Sequence, residues 1–166
     1  MIKKSLKAIG VSILTVLLAV SLTACEDGGG GDTGTGSGSA VGQGPVTEWE
    51  TLTSEVMKLY SSGDYIQGIK VAERALQVAQ QNDGPDHPNV ALSLSNLAEL
   101  YEAQREYAKA EPLYKHSLEI LEKVYGKDNP FLVPTLLNMA SLYKDTGREN
   151  EAQRMMERAN KIQAKQ

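Results

Sequence analysis

The chain is short of cysteine, histidine and basic charge, and each shortage removes a class of function. Cys25 is the single cysteine, so neither an intramolecular disulfide nor a cysteine metal cluster can form. The two histidines, His87 and His116, do not supply the several close ligands of a zinc site. His87 belongs to a turn motif and suits a capping role, while His116 stands beside Lys115 and near Glu119 on a helix face. With 17 Lys+Arg against 21 Asp+Glu the net charge is −4, which argues against non-specific nucleic-acid binding through a basic surface. The apolar run from Ala8 to Val20 falls short of the about 20 residues that a membrane span requires. The glycine tract Gly28 to Gly38 lacks the G-K-[ST] of a phosphate-binding loop. Carboxylate pairs such as Glu99 and Glu102 are what an acidic helical surface supplies. No catalytic residues, metal or cofactor are expected, and the chain does not read as an enzyme.

Lys3, Lys4 and Lys7 before that apolar run, with small residues after it, have the order of an export signal. Leu22-Thr23-Ala24-Cys25 resembles the lipobox of bacterial lipoproteins. The resemblance implies a signal peptide over 1–24 and a mature chain that begins at Cys25, lipidated on its sulfur and amine. Stable anchoring takes more than one acyl chain, as that family supplies. Glu26, where aspartate would favour inner-membrane retention, favours the outer membrane of a bacterial envelope. Removing 1–24 leaves 14 Lys+Arg against 21 Asp+Glu, a net charge of −7. Residues 25–45 read as a lipidated cysteine and a Gly/Ser-rich tether. About 20 such residues span roughly 25 Å as a flexible coil.

Beyond Pro45 a pattern returns every 42 residues. Gly84-Pro85-Asp86-His87-Pro88-Asn89-Val90 is answered by Gly126-Lys127-Asp128-Asn129-Pro130-Phe131-Leu132. Leu94 to Tyr101 is likewise answered by Leu136 to Tyr143. A period of this length marks stacked helical repeats. Apolar residues at helical spacing predict six helices, at about 46–61, 64–82, 88–104, 107–125, 130–145 and 148–164. Gly84 and Gly126 suit positions just past helix ends. Pro88 and Pro130 suit first turns, and Asn129 with Asp86 or His87 are N-cap candidates.

These hairpins resemble the tetratricopeptide repeat in its 42-residue form, found in kinesin light chains and many bacterial proteins. The middle copy carries the likeness through Asn96-Leu97-Ala98-Glu99-Leu100-Tyr101, Tyr107, Ala110-Glu111-Pro112-Leu113-Tyr114 and Ser117-Leu118-Glu119-Ile120. The third copy keeps Leu142-Tyr143, Gly147-Arg148, Ala152 and Ala159; the first keeps Leu59-Tyr60, Gly63-Asp64-Tyr65 and Ala75-Leu76. The resemblance implies an all-α, right-handed α-solenoid of about three hairpins over 46–166, with repeats at about 46–85, 86–127 and 128–166. Ala98, Ala140, Ala110 and Ala152 are the small residues that let paired helices approach, with Tyr101 and Tyr143 beside them. Three departures stand out. Matching Tyr60 to Tyr101 makes the first copy one residue short at its turn, and it has Gly68 where the others have alanine. Arg105 takes a turn position where the family prefers glycine. Pro112 lies inside a helix and is expected to kink it.

The resemblance also implies a function: a lipid-anchored adaptor that binds a partner peptide on its concave face and helps to assemble an envelope complex. The motif asparagines Asn96 and Asn138 are the candidate peptide contacts, since an amide both donates and accepts. The alternative is that they bond to a neighbouring repeat's backbone and hold the stack. One turn on lie Glu99 and Ser141, and the same register gives Glu55 and Lys58 in the first copy. The last helix is polar through Gln153, Arg154, Glu157, Arg158 and Lys161, as a solubilising cap would be. Met155 and Met156 offer a weaker reading as an apolar strip for another subunit, within the alternative of a self-associating structural envelope lipoprotein. A monomer is the favoured state.

Overall fold

The structure is a computed structural model, and it describes residues 47–165. All regular elements there are helical: α1 (Glu48–Ser62), α2 (Tyr65–Asp83), α3 (Pro88–Ala103), α4 (Tyr107–Tyr125), α5 (Val133–Asp145) and α6 (Glu149–Gln163). A 3-10 turn, Pro130–Leu132, leads into α5. The six expected helices are present, and α4 runs through Pro112 as one element. The signal peptide, Cys25 and the tether lie outside the described residues.

Local chemistry sets the ends. Thr47 and Glu50 form a reciprocal capping box at the start of α1, satisfying two N–H groups that a helix start leaves open. Asp64 caps α2 by accepting from the Gln67 N–H. His87 Nδ1 accepts from the Asn89 N–H at 3.2 Å, and Asn129 Oδ1 from the Phe131 N–H at 2.9 Å. The expected caps thus hold, with His87 Nδ1 the acceptor at the start of α3.

The hairpin turns correct the register of the first copy. The N–H groups of Asp64, Glu106 and Arg148 reach back to the carbonyls of Leu59, Tyr101 and Tyr143. Those of Gly63, Arg105 and Gly147 reach Tyr60, Glu102 and Lys144. This six-to-one and five-to-two closure, with a left-handed residue between, is the Schellman motif. It repeats at 42 residues in all three copies, so the first is not short. Leu59, not Tyr60, corresponds to Tyr101. Arg105 has φ 63° against 80° at Gly63 and 74° at Gly147, a strained place for a side chain.

Helices α1, α3 and α5 lie side by side, and α2, α4 and α6 pack against them. The small residues sit where the sequence places them, with Ala98, Ala110 and Ala152 buried against Tyr114 and Tyr143. Gly68 holds the place of Ala110 and Ala152, with Leu100 as its neighbour. A Cβ there would stand 2.7 Å from Leu100 Cδ2.

With the register corrected, the outer faces of the end helices become legible. Val90, Leu97 and Leu100 of α3, like Leu132, Met139 and Leu142 after them, are buried. Their counterparts in α1 are Glu48, Glu55 and Lys58, all exposed. On α6, Met156, Asn160 and Gln163 occupy the places of Tyr114, Leu118 and Leu121, and all three are exposed. Met155 instead packs into two core clusters, so the methionine strip reduces to Met156, 42% exposed.

Candidate functional site

The candidate residues divide by position. Asn96 and Glu99 lie one turn apart on α3, flanked by α1 and α5, and are only 4% and 7% exposed. Asn138 is half-buried and Ser141 exposed, on the matching face of α5. Glu55 and Lys58 do not join this face. They stand in the register of Leu97 and Leu100, on the outside of α1, because no described helix covers that side. The residues of α1 that match Asn96 and Glu99 are Ser54 and Met57.

Asn138 Nδ2 donates to Glu99 Oε1 at 2.7 Å. This links adjacent repeats through a carboxylate, not the backbone, and the charge strengthens the bond. The same link cannot form one repeat earlier. Asn96 stands to Met57 as Asn138 stands to Glu99, and a thioether is at most a weak acceptor. At the other end of the same amide, Asn96 Oδ1 is buried without a hydrogen-bond donor.

Around this pair the structure gathers residues that the sequence pattern does not single out. The buried Tyr114 hydroxyl donates to Glu102 Oε2 at 2.9 Å, and Ser141 hydrogen-bonds Glu102 from α5. Glu99 and Glu102 are therefore not surface acids: one is buried and the other half-buried. Burial pushes the Glu102 carboxyl above its usual range, against the opposing bonds from Tyr114 and Ser141. Burial, then the charges of Glu102 and Glu99, raises the Tyr114 hydroxyl well above its ordinary value. Tyr60 of α1 is raised by burial and then by Glu99. Their i, i+3 spacing showed only that the two acids share a helix side. Their burial comes from α1, α4 and α5 closing around them.

The arrangement is a polar, acceptor-rich helical face. Among the described residues no group of three or more His, Cys, Asp or Glu could hold a metal ion. His116 is exposed on α4. Among the described residues no helix is long and apolar enough to cross a membrane.

Known proteins agree with the fold. The crystal structure of BtubC (BKLC) from P. vanneervenii superposes with a TM-score of 0.67 at 23% identity, covering 71% of this chain and 46% of its own. A kinesin light chain-like protein of Podosopora anserina, built of nearly identical TPR-like repeats, gives 0.63 at 21% identity, covering 69% of this chain and 55% of its own. A variant of that protein with one substitution gives 0.63 at 21% identity, covering 69% and 54%. The chain thus spans about half the length of the structures it matches, and the likeness concerns the fold. No curated protein matches the chain. The tetratricopeptide repeat profile matches residues 59–123 and 90–165. Such repeats are generally non-catalytic scaffolds for protein–protein interaction, and over that span the chain belongs to the tetratricopeptide repeat family.

Proposed function

We propose that the protein is an adaptor, anchored by lipid at Cys25 to a bacterial envelope membrane, the outer one favoured. It grips an extended peptide of a partner protein along the concave α1–α3–α5 face and helps to position an envelope complex. The observation that carries the reading is the orphan carbonyl of Asn96. Leaving a buried amide oxygen unpaired costs about 1–3 kcal/mol, and a backbone N–H from an extended peptide would supply the missing donor. Met57, half-buried and flexible as methionine is, is the side chain in register to move aside. Asn138 and Ser141 extend the same face, although Asn138 already serves Glu99. The polar outer faces of α1 and α6 favour this reading over end-to-end self-association.

The two asparagines separate binding from stacking. Asn96→Ala should lower recovery of a crosslinked partner while leaving the melting temperature unchanged or higher. Asn138→Ala should cost about 1 kcal/mol in chemical denaturation, as loss of a hydrogen bond does. Undiminished partner recovery with Asn96→Ala would remove the groove from the proposal.

A further inference from the structure

Away from that face, the C-terminal end of α4, the 126–129 connection and α6 border an open cleft of about 540 Å³. Its carboxylates are already engaged. Glu122 accepts from Arg158 Nη1 at 2.5 Å, Asp128 from Lys165 Nζ at 2.6 Å, and Glu157 from the Gln153 amide at 2.8 Å. Three of its four cations are not. Lys127, Arg154 and Lys161 line it and, among the described residues, have no carboxylate partner. Arg158 is pinned at the wall by Glu122 and by the Lys127 carbonyl at 2.8 Å, so its guanidinium is already oriented. The Asp128 carboxyl is held below its usual range first by Lys165, and further by the fields of Lys161 and Arg158.

Comparison between repeats shows that the fold does not demand this charge. In the preceding copy the places of Lys127, Arg154, Arg158 and Lys161 are taken by Pro85, Pro112, His116 and Glu119. Lys161 also lies in the last turn of its helix, where the dipole favours a cation. Arg154 lies about two turns earlier and gains nothing from that effect. In the first copy Lys70 and Arg74 hold the places of Arg154 and Arg158 but Gln77 that of Lys161, so among the described residues the three helix cations come together only in the last repeat.

We infer that this cleft is a second binding site, for an acidic peptide segment whose carboxylates meet Lys127, Arg154 and Lys161 beside the oriented Arg158. A recess with a guanidinium in its wall suits a protruding side chain. The site is independent of the α1–α3–α5 face, since it uses α4, α6 and the connection between repeats.

The test uses the chain from Glu26 onward, which contains every residue of the four core clusters. Fluorescence anisotropy with labelled hexaglutamate, hexaserine and hexalysine should show binding of hexaglutamate alone, weakening as salt rises. The double variant Arg154→Ala/Lys161→Glu should weaken it about tenfold, while Lys70→Glu on α2 and Asn96→Ala leave it unchanged. Lys127→Ala removes an ammonium that holds nothing in the fold and should weaken it several-fold. The inference is overturned if Lys127→Ala and the double variant both bind as the parent does. It is equally overturned if Lys70→Glu weakens binding as much, or if vesicles of anionic phospholipid compete better than hexaglutamate.

Discussion

Leu97 and Glu55 occupy the same place in consecutive hairpins, as do Leu100 and Lys58. The first of each pair is buried and the second exposed. A weaker contrast separates α4 from α6, where half-buried Leu118 and Leu121 give way to exposed Asn160 and Gln163. In a stack each repeat contacts only its neighbours, so chemistry at an equivalent position follows whether a neighbour covers it. Positions that pack within a hairpin do not change in this way. Ala110 and Ala152, or Ile120 and Ile162, are buried in both copies. The repeat therefore has an invariant seam inside each hairpin and a variable one between hairpins.

The strongest challenge to this comparison moves a terminal residue inward. Leu100→Lys copies Lys58 into a place with no exposure and should cost more than about 4 kcal/mol, since it leaves an unpaired buried charge. Urea denaturation followed by circular dichroism would show it, and a stable Leu100→Lys protein would contradict the assignment of the seam. Lys58→Leu should be within about 0.5 kcal/mol of the parent.

The next concerns a turn that breaks its own pattern. Arg105 is the one non-glycine among the described residues with positive φ. Arg105→Gly should stabilise by about 1 kcal/mol, the relieved strain being partly offset by the freer unfolded chain. Thermal melting reads this as a rise of several degrees, and no rise would mean that Arg105 holds its turn without strain.

The smallest expected effect lies between the second and third hairpins. Glu111 accepts from Arg148 Nη1 at 2.8 Å and Nη2 at 2.9 Å, and Lys115 Nζ lies 2.8 Å away. Chiefly through Arg148, its carboxyl is lowered from 4.5 to about 2. A depressed carboxylate contributes stability that is full above its unfolded value and is lost as pH falls from about 4.5 toward about 2. With Arg148 about a third exposed, solvent screening limits the effect to about 1 kcal/mol. Denaturation midpoints across that range should fall less in Glu111→Gln than in the parent.

Much of the fold is legible from the residues, because the 42-residue period, the glycines past helix ends and the prolines at helix starts all agree. The first repeat misleads for a definite reason. Leu59-Tyr60 looks like Leu100-Tyr101 and Leu142-Tyr143, yet the turn bonds place Leu59 opposite Tyr101 and Tyr143. Matching the pairs by that likeness shifts the register by one residue and puts Glu55 and Lys58 on the wrong face. The alignment of Gly63-Asp64-Tyr65 with Arg105-Glu106-Tyr107 is the signal in the sequence that carries the true register. The burial of Glu99, the orphan amide of Asn96 and the cationic cleft were not legible. Each depends on which side chains of other helices arrive beside them.

Trp49 is the only tryptophan in the chain. Its indole N–H donates to Ser93 Oγ at 2.9 Å, and that hydroxyl in turn donates to the Asn89 carbonyl. The molecule thus carries its own optical gauge at the junction of α1 with α3, and nothing comparable at the other extremity. Emission from this ring registers departure of the leading helix, whereas ellipticity averages every helix. Divergence between the two signals would expose unravelling from one tip, and their coincidence would mark a single cooperative body.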